Sequence, residues 1–184
     1  LVPVHVDSWG PLVFVNVDPA ETVEPLAEYL EGVPADTAWA RLDEFRCQVT
    51  ARIPVPCNWK IVAEGFLEGY HLQALHGDTF FPIQFDNLNV IEQFGPNSRV
   101  TFPYRRVDRL RDVPAEERSA DGVLTYVYHL FPNVMLVTFS KNTTCWQAAQ
   151  VNPNQSTFSP SRRGSLTNPT GRASGLHPFG FCGR

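Results

Sequence analysis

Residues 58–76 read Asn-Trp-Lys-Ile-Val-Ala-Glu-Gly-Phe-Leu-Glu-Gly-Tyr-His-Leu-Gln-Ala-Leu-His, and no other run constrains the chain as much. Ala63, Glu64, Phe66, Leu67, Glu68, Leu72, Ala74 and Leu75 are competent helix formers. Asn58 suits an N-cap, Lys60 and Glu64 stand four apart, and Gly77 is a C-terminal stop. The run therefore predicts one helix over residues 59–76. Gly65 and Gly69 oppose it, each costing up to about 1 kcal/mol relative to alanine. Two such glycines imply a close neighbour or a bend.

The same run concentrates site chemistry. Glu64, Glu68 and His71 fall at i, i+4 and i+7, on one helical stripe. Glu68 and His71, three apart, are within reach of each other. His76 is off that stripe by roughly 140° from His71 on an ideal helix. Both imidazoles reach one ion only if His76 sits in a distorted last turn or just beyond it, which Gly77 permits. The bland alternative is a pair of hydrogen-bonded histidines with Glu64 and Glu68 on a solvated face. Against it, Trp59, Ile61, Val62, Phe66, Leu67 and Leu72 leave little polar surface. The acids and His71 are therefore expected to face an interior, where they need partners.

Around this run the chain alternates between strand-like and helix-like text. Val2 to Val17 holds two β-like runs split by Ser8-Trp9-Gly10-Pro11. Residues 21–30 read as a short helix with Pro25 in its first turn, ended by Gly32 and Pro34. Residues 38–53 alternate at Phe45, Cys47 and Val49 and predict one long strand or two. Residues 89–94 and 98–104 form a hairpin about Gly95-Pro96-Asn97, and Pro114 opens a short helix. Residues 123–131 and 133–139 give a second strand pair. This order predicts an α+β fold with an antiparallel sheet packed on helices.

Composition excludes several classes. A net charge of −4 does not suit a nucleic-acid binder. The cluster Arg105, Arg106, Arg109 and Arg111 is interleaved with Asp108 and Asp112, as on a solvated face. No apolar run approaches a membrane span, so neither a span nor a signal peptide is expected. Cys47, Cys57, Cys145 and Cys182 are irregularly spaced, which suits a reducing cytoplasm.

The pattern Asn-Trp-Lys-x-x-x-Glu-x-x-x-Glu-x-Tyr-His-x-x-x-x-His resembles the iron-site helix of Rieske non-haem iron oxygenases. These are the α-subunits of aromatic ring-hydroxylating dioxygenases and related monooxygenases. Trp9 to Pro19 looks like the last strand of that family's Rieske domain and its exit, and Phe131-Pro132-Asn133-Val134-Met135 resembles a strand entry of its catalytic domain. The resemblance covers roughly residues 1–150. It implies a helix-grip fold, an antiparallel sheet wrapped on a long helix, here incomplete. It implies that His71 and His76 are ligands of a mononuclear Fe(II) in a triad of two histidines and a carboxylate. It gives Glu68 the catalytic role of bridging towards the [2Fe-2S] Rieske cluster of a neighbouring subunit, with Glu64, Asn58 and Tyr70 in support. The implied partners are a small organic substrate, O₂, an NAD(P)H-dependent reductase and in some members a ferredoxin, in a homotrimer or hetero-hexamer without nucleic acid or membrane. Hydroxylation of an aromatic or other small organic substrate is the implied activity.

The chain departs from this pattern in three places. None of the cysteines belongs to the Cys-x-His and Cys-x-x-His pairs that hold a Rieske cluster. After Asp121 there is no Asp or Glu to supply the late third ligand; Asp78 and Asp86 lie too near the histidines. From about Gln147 the text turns polar, basic and rich in Ser, Pro and Asn, which offers little apolar surface to offset chain entropy. The expected organisation is thus residues 1–20 as the end of a Rieske domain, 21–150 as a partial catalytic iron-binding domain, and 151–184 as a divergent tail, disordered or frame-shifted. As a fragment lacking the cluster and a full triad, it is expected to be inactive alone. The alternative is a non-catalytic helix-grip module that binds a small ligand, with structural histidines. A zinc hydrolase fits poorly, because no His-Glu-x-x-His places a base beside the ion. Phe80, Phe81, Phe85, Phe102 and Phe131 are candidates for a pocket lining.

Overall fold

The computed structural model describes residues 2–44, 51–139 and 142–162. The two amino-terminal runs form an antiparallel hairpin, β1 (His5–Trp9) and β2 (Leu12–Asn16), with Trp9 opposite Leu12. Gly10 makes the turn at φ +54°, packed against Leu42, where a side chain would be strained. Helices α1 (Leu26–Leu30) and α2 (Val33–Asp36) follow. Pro25 stands at the N-cap of α1, and Pro34 lies in the first turn of α2, so it opens a helix where the sequence suggested a stop.

Residues 38–44 differ from the strand expected there. They form two 3₁₀ turns, Ala38–Ala40 and Leu42–Glu44, separated by Arg41 at φ +50°. Ala40 and Leu42 are buried by this folded path, which an extended chain would not achieve. The alternating residues Phe45, Cys47 and Val49 lie outside the described residues.

The remaining chain supplies β3 (Ile53–Val55), α3 (Trp59–Phe66), α4 (His71–Leu75), β4 (Val90–Phe94), β5 (Asn97–Pro103), β6 (Leu124–Leu130), β7 (Val134–Phe139), β8 (Asn142–Asn152) and β9 (Gln155–Arg162). The strands make one seven-stranded antiparallel sheet in the order β3-β9-β8-β7-β6-β5-β4. Phe94 faces Asn97 across a two-residue loop. Gly95 has φ +53° and Pro96 is locked at negative φ, the combination of a type II′ turn.

Both faces of the sheet are covered, and β7 shows how. Val134 and Leu136 point to one face with Tyr128, Leu130 and Cys145, beneath Leu30, Val33, Trp9, Leu12 and Phe14. Met135 and Val137 point to the other, where Ala63, Phe66 and Trp59 of α3 meet Ala148 and Phe158. A strand buried on both sides needs an unbroken apolar run, and Val134 to Val137 is one. The α+β class holds: the molecule is an antiparallel sheet with short helices, an incomplete helix-grip arrangement. Among the described residues the longest α-helix is the eight-residue α3.

Residues 155–162, which the sequence reading assigned to a divergent tail, form β9 between β3 and β8. The reason is local. Ser156 and Phe158 alternate inward at 0% and 3% exposure, and the Ser156 hydroxyl donates to the Cys57 carbonyl at 2.8 Å. One phenylalanine and a full backbone ladder suffice where average composition looks too polar. Residues 163–184 of that tail lie outside the described residues. No described helix is long and apolar enough to cross a membrane.

Candidate metal centre

The expected single helix over 59–76 is two. Helix α3 begins as anticipated, with the Asn58 side chain accepting from Lys60 N at 3.0 Å, and it ends at Phe66. The chain then breaks through residues 67–70 and restarts as α4. Gly69 is the cause. A Cβ there would lie 2.4 Å from the Asp86 carbonyl oxygen, so the 86–89 segment crosses directly over a bare backbone. Gly65 has open space at its Cβ and plays no such part.

The break assembles the site. Glu68 lies just before α4, and one carboxylate oxygen accepts from the His71 backbone N–H at 3.2 Å. The other is in direct contact with His71 Nδ1. A carboxylate at a helix start is favoured by the unsatisfied N–H groups there. On Nδ1 it also leaves Nε2 as the free nitrogen of His71. His76 stands just past α4 as its C-cap, at φ −120° and ψ 28°, the placement that sharing one ion with His71 would require. The His71 and His76 rings meet edge to face, with centroids 5.3 Å apart. His76 packs on Phe80 at 5.4 Å, and Phe80 stacks on Phe139 of β7 at 5.9 Å. Burial, and secondarily the charge of His71, hold the His76 imidazole below its usual pKa. It is thus a neutral donor near pH 7.

Other expected members fall elsewhere. Glu64 is exposed, which corrects its placement with the interior group. Tyr70 is 83% exposed. Asn58 caps α3 and donates to the Pro153 carbonyl at 3.1 Å, so it braces the helix against the β8–β9 turn. Of the suggested pocket phenylalanines, only Phe80 adjoins the histidines. Phe102 is core, Phe131 is 47% exposed, and Phe81 and Phe85 flank Arg105. Two surface clefts, one bordered by Trp59 and Gln150 and one by Trp39 and Tyr126, include neither histidine. Phe139 and the 86–89 segment were missed in the sequence; only the glycine at 69 hinted at the second.

Two imidazoles, one oriented by a carboxylate and one held neutral, suit a borderline divalent ion such as Fe(II). Among the described residues, no group of three or more His, Cys, Asp or Glu is placed to hold a metal. The described site thus offers two imidazoles and one carboxylate bonded to the first of them.

The chain is similar to known proteins in sequence and in shape. A family model described as ring hydroxylating alpha subunit, catalytic domain, matches residues 37–159. The carnitine monooxygenase oxygenase subunit of Escherichia coli K12 is 31% identical over 88 residues, covering 47% of this chain and 23% of that protein. The phthalate 4,5-dioxygenase oxygenase subunit of Pseudomonas putida is 31% identical over 75 residues, covering 41% of this chain and 15% of that protein. The chain thus spans less than a quarter of these curated relatives. Among solved structures, a quaternary ammonium Rieske monooxygenase superposes with TM-score 0.67 at 16% identity, covering 87% of this chain and 41% of that one. Naphthalene 1,2-dioxygenase from Rhodococcus sp. superposes with TM-score 0.62 at 15% identity, covering 90% and 46%. By the match over residues 37–159, the chain belongs to the ring-hydroxylating oxygenase α-subunits and carries part of their catalytic domain.

Proposed function

We propose that this chain supplies two of the three protein ligands, His71 and His76, to a mononuclear Fe(II) in an oxygenase that hydroxylates an aromatic or other small organic compound with O₂. The observation that carries the reading is the convergence of the two rings at 5.3 Å with Glu68 on His71 Nδ1. When bound, the iron would supply O₂ activation, with electrons from a [2Fe-2S] Rieske cluster in the intact protein. The chain's own residues do the rest. Glu68 fixes the His71 tautomer and holds Nε2 towards the ion. His76 presents a neutral nitrogen that needs little deprotonation near pH 7. Phe80 and Phe139 hold one side of His76 dry.

The Glu68 side chain keeps 36% of its surface accessible, and Tyr70 and Leu75 beside it are largely exposed. That surface suits docking of a neighbouring subunit in a homotrimer or hetero-hexamer, with Glu68 as the link from its Rieske cluster. An NAD(P)H-dependent reductase, with a ferredoxin in some arrangements, completes the supply, in the cytoplasm. This sequence has no Asp or Glu after Asp121 to serve as the late third ligand, so the 184-residue chain alone does not turn over.

The test is metal content. The intact oxygenase is expected to bind one mononuclear Fe(II) beside its cluster, with that iron lost in His71→Ala and His76→Ala. Stoichiometric iron retained in both variants would overturn the ligand assignment. Absence of mononuclear iron from the wild type would favour a ligand-binding module with structural histidines.

A further inference from the structure

Among the described residues one buried side-chain polar atom has no hydrogen-bond partner, Asn89 Oδ1, and it lies beside the histidine site. Asn89 belongs to the 86–89 segment that crosses Gly69. Its Nδ2 stands 3.3 Å from the point that a Cβ on Gly69 would occupy, and the Asp86 carbonyl oxygen stands 2.4 Å from the same point. Glu68 precedes that glycine by one residue, and His71, which Glu68 contacts, follows it by two.

The segment is rigidly mounted, and the turn beneath it is not. Gln84 bridges to Tyr104, and Phe85 N donates to the Pro103 carbonyl at 3.1 Å. Val90, next after Asn89, opens β4 opposite Thr101, so both ends of the segment are pinned to β5 or its end. Residues 67–70 lie outside both helices. Leu67 N donates to the Glu64 carbonyl to close α3, and Leu72 N to the Gly69 carbonyl to open α4, each at 3.0 Å. Between those bonds the Glu68 carboxylate reaches forward to His71, and its backbone is supported from above by the crossing segment.

A sealed acceptor without a donor destabilises a fold, and a leucine fills similar space without that penalty. Stability therefore does not account for the amide, whereas its polarity does. Nδ2 is the positive end of the amide dipole, and it is the end nearer Gly69, against the turn that carries the Glu68 charge. We infer that Asn89 is a positioning residue of this centre: its amide holds the Glu68 turn and, through Glu68, keeps the His71 ring in ligating orientation. This rests on the metal-site reading above and adds to it a residue that touches neither histidine.

The experiment compares the intact oxygenase with Asn89→Leu, Glu68→Gln and the double variant. Fe(II) affinity is read by competitive chelator titration. Thermal midpoint and hydrogen exchange at residues 67–71, followed by mass spectrometry, are read on the metal-free protein. Asn89→Leu is expected to weaken Fe(II) binding about 10-fold and to speed exchange at 67–71 by a similar factor. The midpoint is expected to hold or rise, because the unpaired oxygen is gone. In the Glu68→Gln background the same substitution should change iron affinity by less than about 2-fold, because Asn89 acts through that carboxylate. A side chain that merely fills space would lower midpoint and affinity together, and that result overturns the inference. Unchanged iron affinity, or an equal loss with and without the Glu68 carboxylate, overturns it as well. If the leucine variant does not fold, Asn89→Ala removes the amide without added bulk, and the coupling to Glu68 alone decides. A wild type without mononuclear iron sinks the oxygenase reading; the exchange measurement on metal-free protein then decides for Asn89, and unchanged exchange at 67–71 overturns its role.

Discussion

At the scale of single residues, the centre depends on Glu68 more than its modest exposure suggests. The same carboxylate accepts from the His71 backbone and from its ring. Glu68→Gln keeps the shape but removes the charge that orients His71, so Fe(II) affinity is expected to fall about 10–100-fold in a competitive chelator titration. Unchanged affinity would reduce Glu68 to a helix cap. His76 offers a second measurement. Its folded pKa lies below the usual 6.5, because burial disfavours the cation and His71 repels it. Proton NMR should find its metal-free midpoint below 6.5, and His71→Ala should raise that midpoint without restoring it fully. A base with a depressed folded pKa takes up its proton first in the unfolded chain. Its contribution therefore destabilises the fold as pH drops below about 6.5, and it is absent above that value.

At the scale of elements, the break between α3 and α4 and the strand β9 decide where the histidines go. The 86–89 segment over Gly69 ends the first helix early and lets the second begin at His71. Strand β9 holds the other end: Phe158 stacks on Phe66 of α3 with centroids 6.2 Å apart, Ser156 bonds the Cys57 carbonyl, and Asn58 reaches Pro153. Phe158→Ala is accordingly expected to cost about 3–5 kcal/mol in urea unfolding, as for a buried aromatic. A loss under about 0.5 kcal/mol would mean that residues 155–162 are not part of the folded unit.

At the scale of the whole molecule, the sheet is tied together by Arg99. It links Asp36 of α2, Glu92 of β4 and the two tyrosines of β6, and Tyr128 donates to Asp36 at 2.9 Å. Burial first, then the bond to Asp36, pushes the Tyr128 phenol up to about 12. Arg99→Met leaves Asp36 and Glu92 without their cation. The partial exposure of both carboxylates, 28% and 43%, moderates the cost to about 1–3 kcal/mol, read from the urea midpoint at constant slope. No change in the midpoint would show that the apolar face alone holds α2 to the sheet. None of this network was legible in the sequence, because Asp36, Glu92, Arg99 and Tyr128 share no spacing rule and meet only across four elements.

What could be read along the chain was what local spacing controls. Two histidines five apart, an acid three before the first and a glycine after the second are enough to identify a metal-type motif, and to require that His76 leave the helix. The Gly95-Pro96 hairpin and the apolar run at Val134 to Val137 were legible for the same reason: turn chemistry and side-chain period act between near neighbours. Tertiary structure decided the rest. Whether Gly69 bends or merely weakens a helix depends on Asp86, seventeen positions away. Whether Ser156-Thr157-Phe158 is tail or strand depends on a ladder with β3, about a hundred residues earlier. Strand pairing and close backbone approach are satisfied by partners brought in from elsewhere in the fold, so the residues themselves carry no mark of them.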